Sequence, residues 1–132
     1  MRTLPYICFL SAALYALIGM AIGILMAASH DHSLTPVHAH LNLLGWVSFA
    51  LYGLFYQLQP QIADTRLARL HVLAATLALW LLVPGIAMAE LGMTEALAVI
   101  GSLLTIVAMA LFAVIVAGSR RATGPAANQI RS

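Results

Sequence analysis

The sequence predicts an all-α, polytopic membrane protein: an antiparallel bundle of four transmembrane helices in a single domain. Three observations carry that expectation. Of 132 residues, 63% are hydrophobic and 8% charged, and the mean hydropathy is +0.99. A soluble domain carries about 25% charged residues, so this chain cannot cover its surface with charge, and its expected partner is the lipid bilayer, not nucleic acid. The charges it does have are confined. None falls between Arg2 and Asp31, between Asp31 and Asp64, between Arg69 and Glu90, or between Glu95 and Arg120. Lastly, all six basic residues are arginines: Arg2, Arg66, Arg69, Arg120, Arg121 and Arg131. They lie at the N-terminal end, in the second linker and in the C-terminal tail, which four spans place on one side of a membrane.

Each charge-free interval is long enough to cross, since roughly 20 apolar residues match a hydrocarbon core of about 30 Å. The expected helices run over about residues 4–28, 36–58, 67–89 and 94–118. The first follows a basic residue, as a secretory signal does. Its apolar stretch far exceeds a signal's apolar core of about 7–15 residues, so it reads as a true span. Within it Ala12, Ala16, Gly19, Gly23 and Ala27 form a small-residue stripe of the kind that lets helix backbones approach. The second helix opens at Thr35-Pro36, a hydroxyl N-cap followed by proline in the first turn. The third carries His71, Ala74, Ala75, Ala78 and Gly85 on one face, with a bend expected at Pro84-Gly85. The fourth offers Ala98, Gly101, Ser102 and Thr105. Short linkers make successive helices antiparallel neighbours. Residues 119–132 read as a disordered, solvated tail. The arginine-bearing side is cytoplasmic by the positive-inside rule, which gives a multi-pass protein of the inner (plasma) membrane with both termini in the cytoplasm.

The polar residues at the other side are the informative ones. His30, His32, His38 and His40 all lie there, the last two in the segment Val37–Trp46 at the mouth of the second helix. His38 and His40 are two residues apart, so a helix sets them about 200° from one another. They cannot chelate one ion from a regular helix. His38 shares its face with Asn42, Gly45, Phe49, Tyr52, Gly53 and Tyr56, the face expected to meet protein. His40 shares the opposite face with Leu43, Leu44, Val47, Leu51, Leu54 and Leu58. That face is expected to meet lipid, a partner subunit or a porphyrin. His71, near the other end of the third helix, reads as an interhelical hydrogen-bonding group. The single cysteine, Cys8, excludes an intramolecular disulfide, and no C-x-x-C-H is present for a covalently attached haem.

The run His40-Leu41-Asn42-Leu43-Leu44-Gly45-Trp46, continuing as Phe49-Ala50-Leu51-Tyr52-Gly53-Leu54-Phe55-Tyr56-Gln57-Leu58-Gln59-Pro60, resembles the second helix of the haem–copper oxidase catalytic subunit. It is nearest to the nitric oxide reductase and cbb3-type branch, whose helix begins H-x-N-L-L and ends G-x-x-Y-x-L-x-P. The resemblance implies that His40 matches an axial ligand of a low-spin haem b, with Asn42 its matching neighbour. It covers one span of the four. No later helix carries the family's paired haem histidines, its H-x-x-x-Y or its copper H-H pair, so the resemblance does not extend to a complete oxygen- or nitric-oxide-reducing site. The function it implies is that of a small haem b protein in electron transfer or gas binding. A second axial ligand is then expected from His38, Met26, Met88, Met93 or another subunit. His71 is separated from His40 by roughly 20 Å of depth at 1.5 Å per residue.

Two other classes stay open on the residues. His30, His32, His38 and His40 with Met26, Met88 and Met93 form an outer rim of imidazole and thioether, a donor set that suits Cu(I) in a copper-binding or copper-handling protein. A cofactor-free assembly subunit is the third. The small-residue stripes exceed what one small bundle consumes, so a homo-oligomer or membership of a larger membrane complex is expected.

Overall fold

The structure, a computed structural model, describes residues 2–122. Four helices are long and apolar enough to cross a membrane: α1 Thr3–Ser29, α2 Thr35–Leu58, α3 Arg66–Glu90 and α4, which begins at Ala96 and runs to Ala122. No strand occurs among the described residues. The fold is the expected all-α bundle, with helix ends within a few residues of those read from the sequence. α4 continues through residues 119–122, where a solvated tail was expected; the rest of that tail, 123–132, lies outside the described residues.

The helix junctions follow from local chemistry. α1 ends at His30, which takes a left-handed conformation (φ 57°) where glycine is usual. In the loop that follows, Asp31 accepts the Ser33 N–H through Oδ1 at 2.9 Å, and this bond holds its carboxyl below the usual range. Thr35 does not cap α2 as expected. It is the first helical residue, and its hydroxyl donates to the His32 carbonyl at 2.7 Å. At the other end a single turn, Pro60–Ala63, closes the chain toward α3. Arg2 there forms an ion pair with Asp64 and donates to the Pro60 carbonyl at 2.7 Å, tying α1 to the second linker. Thr65 caps α3 by accepting the Ala68 N–H at 3.2 Å.

Between helices in lipid there is no water to squeeze out, so close packing of small residues takes over. On α1 the expected stripe is buried at Ala12, Ala16 and Gly19, while Ala27 is exposed. On α3 the face of His71, Ala74, Ala75, Ala78 and Gly85 is buried throughout. On α4 Gly101 and Ala108 are buried, but Ser102 is exposed; Ile115, farther along, completes the packed face. The tightest crossing joins α3 to α4. A Cβ built on Gly85 lies 2.3 Å from the Ala98 nitrogen, and one on Gly101 lies 2.5 Å from the Leu82 nitrogen. Two backbones touch there, which only glycine permits. Away from that crossing, Phe112 of α4 packs on Tyr52, Phe55 and Tyr56 of α2. Trp80 of α3 donates to the Tyr15 hydroxyl of α1 at 2.8 Å, bridging two helices that otherwise leave grooves between them.

Candidate functional site

The second helix is not uniform. Leu41–Val47 is wound as a π-helix between α-helical turns. In that winding each carbonyl bonds five residues on. Two polar side chains add to the ladder: Asn42 Nδ2 donates to the His38 carbonyl at 2.8 Å and the Ser48 hydroxyl to the Leu43 carbonyl at 2.8 Å, each beside a backbone N–H that the same carbonyl accepts. Val37 and Leu41 are buried beside Gly45 and Phe49 along this changed winding. The α-helical spacing used on the sequence did not anticipate it. The signal available was weak: a glycine, Gly45, where a Cβ would come within 2.9 Å of Tyr15 Cβ, in a run otherwise favourable to α-helix.

Despite the change of winding, the two histidines stay on opposite sides. The His38 ring is half-buried against α1, its Nδ1 2.8 Å from the Gly19 carbonyl. A carbonyl only accepts, so Nδ1 carries the proton. The Asn42 amide nitrogen, 3.4 Å from the same Nδ1, is then a neighbour and not its hydrogen-bond partner. His38 and Asn42 rest on the glycines of the α1 stripe: a Cβ at Gly23 would meet the His38 ring at 3.0 Å, and one at Gly19 the Asn42 amide at 2.7 Å. The rest of this face (Gly45, Phe49, Tyr52, Gly53 and Tyr56) is buried, as expected.

His40 is exposed. Its Nδ1 lies 2.8 Å from the Pro36 carbonyl one turn earlier, and by the same logic Nδ1 donates. An uncharged imidazole with its proton on Nδ1 carries its lone pair on Nε2. Leu43 (61% exposed), Val47, Leu51, Leu54 and Leu58 of the face expected around His40 are exposed as well, whereas Leu44 packs against the core.

The other histidines and methionines at this end differ in exposure. His30 and His32 are exposed in the loop after α1. Met26 is buried, its sulfur 3.9 Å from the Thr35 hydroxyl. Met88 is half-buried near the end of α3, and Met93 is exposed in the following linker. Among the described residues no three His, Cys, Asp or Glu side chains are grouped to hold a metal ion.

At the arginine-bearing end the structure brings together a pair that the sequence reading left apart. His71 is fully buried, and its Nδ1 shares a hydrogen bond of 2.8 Å with the Tyr56 hydroxyl. Its ring stacks on Phe112 (centroids 5.1 Å, 25°) and meets Tyr52 edge-on (4.5 Å, 85°). Nε2 has no hydrogen-bond partner among the described residues. His71 is thus an interhelical group, as expected, but only one of its two nitrogens is satisfied. Such a group is costly in an apolar interior.

No known protein family, curated protein or solved structure matches this chain.

Proposed function

We propose that this chain is a small integral membrane protein that holds a b-type haem against the outward face of α2, with His40 as axial ligand, for electron transfer or gas binding. One observation supports the reading above the rest: the Pro36 carbonyl takes the Nδ1 proton of His40, leaving Nε2 as a lone pair on a leucine-lined face. That is the tautomer a metal ligand needs, with the ring oriented by its other nitrogen. The donor set therefore fits haem on one side. Bound haem supplies one-electron exchange or gas ligation at its iron; the chain supplies an imidazole and a dry wall.

This chain offers one wall and one ligand. His38 is turned into the α1 contact and Met26 is packed beneath Thr35, so neither faces outward with His40. The second porphyrin face and any second ligand come from another copy of the chain or another subunit of a larger membrane complex. A homo-oligomer, or membership of a larger membrane complex, follows from this reading.

Removing the imidazole of His40 takes away the protein's bond to iron while costing the bundle little, because the side chain is exposed. His40→Ala is expected to abolish the Soret band of the purified, haem-supplied protein, with insertion and helicity unchanged. His38→Ala is expected to weaken haem binding only partly, through disturbed α1–α2 packing. A Soret band unaltered by His40→Ala rules the ligand out.

A copper site is the second reading. It requires His30, His32, His38 and His40 to move together from the positions described, and it forecasts that losing His30 and His32 matters as much as losing His40. Neither a Soret band nor bound copper would leave an assembly role without a cofactor.

The arginine distribution supports an inner-membrane protein with cytoplasmic termini. A phosphatase that folds only in an oxidising compartment is expected to be inactive when fused at the carboxyl end of the chain. Activity there would invert the topology.

A further inference from the structure

A lateral groove of about 720 Å³ opens between α1 and α3 at the arginine-bearing end of the molecule. Its walls are mainly apolar, with Leu4 and Ile7 of α1 and Val72 and Leu73 of α3, and Thr3 and Thr76 also line it. Its mouth is polar and carries Arg2, Asp64 and Arg69. Arg2 is paired with the Asp64 carboxylate. Among the described residues Arg69 reaches the Asp64 backbone carbonyl, at 3.4 Å, and that neutral group leaves its charge in place. Two cations and one anion at the mouth leave one net positive charge (2 − 1 = +1).

We propose that this groove is a binding site for an anionic glycerophospholipid. The phosphodiester, with one negative charge, sits at Arg69 and Arg2, and an acyl chain lies along Ile7, Val72 and Leu73. Charge selects the headgroup. A guanidinium donates in a planar fork that suits phosphate oxygens, whereas the ammonium of a choline headgroup brings a further cation to a mouth already positive. Shape selects a lipid over a soluble anion. Ile7 and Leu73 are exposed along the groove, and an inorganic phosphate would leave that apolar length uncovered.

The test is native mass spectrometry of the full chain released from nanodiscs containing equal parts phosphatidylglycerol and phosphatidylcholine. Phosphatidylglycerol is expected to be the retained lipid. Arg69→Gln is expected to lower the retained phosphatidylglycerol-to-phosphatidylcholine ratio about fivefold, the equivalent of one basic residue near an anionic surface. Leu73→Trp, which fills the groove, is expected to reduce retention of both lipids. Arg120→Gln, at the same end but outside the groove, is expected to leave the ratio unchanged. Equal retention of the two lipids by the wild-type chain overturns the proposal. So does an equal loss in Arg120→Gln, which would mean general attraction to a basic rim. A second copy of the chain replacing lipid in the spectrum overturns it as well.

Discussion

Gly85→Val is expected to detach α4 from α3. The added Cβ alone would sit 2.3 Å from the Ala98 nitrogen and 2.6 Å from the Leu97 carbonyl carbon. Both are backbone atoms of a continuous helix, so no rotamer change relieves the clash. Overpacking of a side-chain core costs about 1–3 kcal/mol; here the relief has to come from moving a whole helix, so the loss exceeds about 3 kcal/mol. Controls set the scale. Gly118→Val adds a side chain where nothing lies within 4 Å and is expected to change nothing. Gly19→Ala meets the tip of the Asn42 side chain at 2.7 Å; an amide can swing away, so the cost is smaller and falls on the His38–Asn42 contacts. Thermal unfolding in detergent, read by helicity and by protease cleavage of the linker before α4, reports all three. A wild-type midpoint for Gly85→Val would mean that the α3–α4 crossing is not the contact described.

The second large effect is expected at His71. Truncating a fully buried aromatic-sized ring costs about 3–5 kcal/mol, and His71→Ala also leaves the Tyr56 hydroxyl unpaired, a penalty of about 1–3 kcal/mol that overlaps with the first. His71→Phe behaves differently. It keeps a ring between Phe112 and Tyr52, removes the unpartnered Nε2, and still strands the Tyr56 hydroxyl. The double variant His71→Phe, Tyr56→Phe removes both polar partners together. The expected order of stability is therefore His71→Ala lowest, His71→Phe intermediate, and the double variant close to wild type. Urea or thermal unfolding of the four proteins in one detergent measures it. A double variant no more stable than His71→Phe would show that the Tyr56–His71 bond is not the term that matters.

The two pairs of polar residues differed in how far they could be read in advance. His38 and His40 lie two residues apart on one helix, and their separation onto opposite faces is a local property of helical winding. Even the π-helical stretch, which was not foreseen, begins after them and leaves it intact. Tyr56 and His71 lie on different helices. Each could be placed on a packed face by its spacing, but nothing in either run specifies the other as its partner.

The same division holds for the molecule. Partition into lipid depends on summed hydrophobicity over about 20 residues, and end-to-end charge follows from where the arginines fall. The four spans, their boundaries to within a few residues and the small-residue faces were therefore determined by the sequence read one segment at a time. Lipid tails are as apolar as leucine, so burial does not decide which stripe meets which. Shape and a few hydrogen bonds do: Gly85 against the Ala98 backbone, Gly19 beneath Asn42, Trp80 on Tyr15, Arg2 on Asp64. Each joins residues remote in the chain. Only the tertiary structure could set them in contact, and with them the Tyr56–His71 bond and the groove beside Arg69.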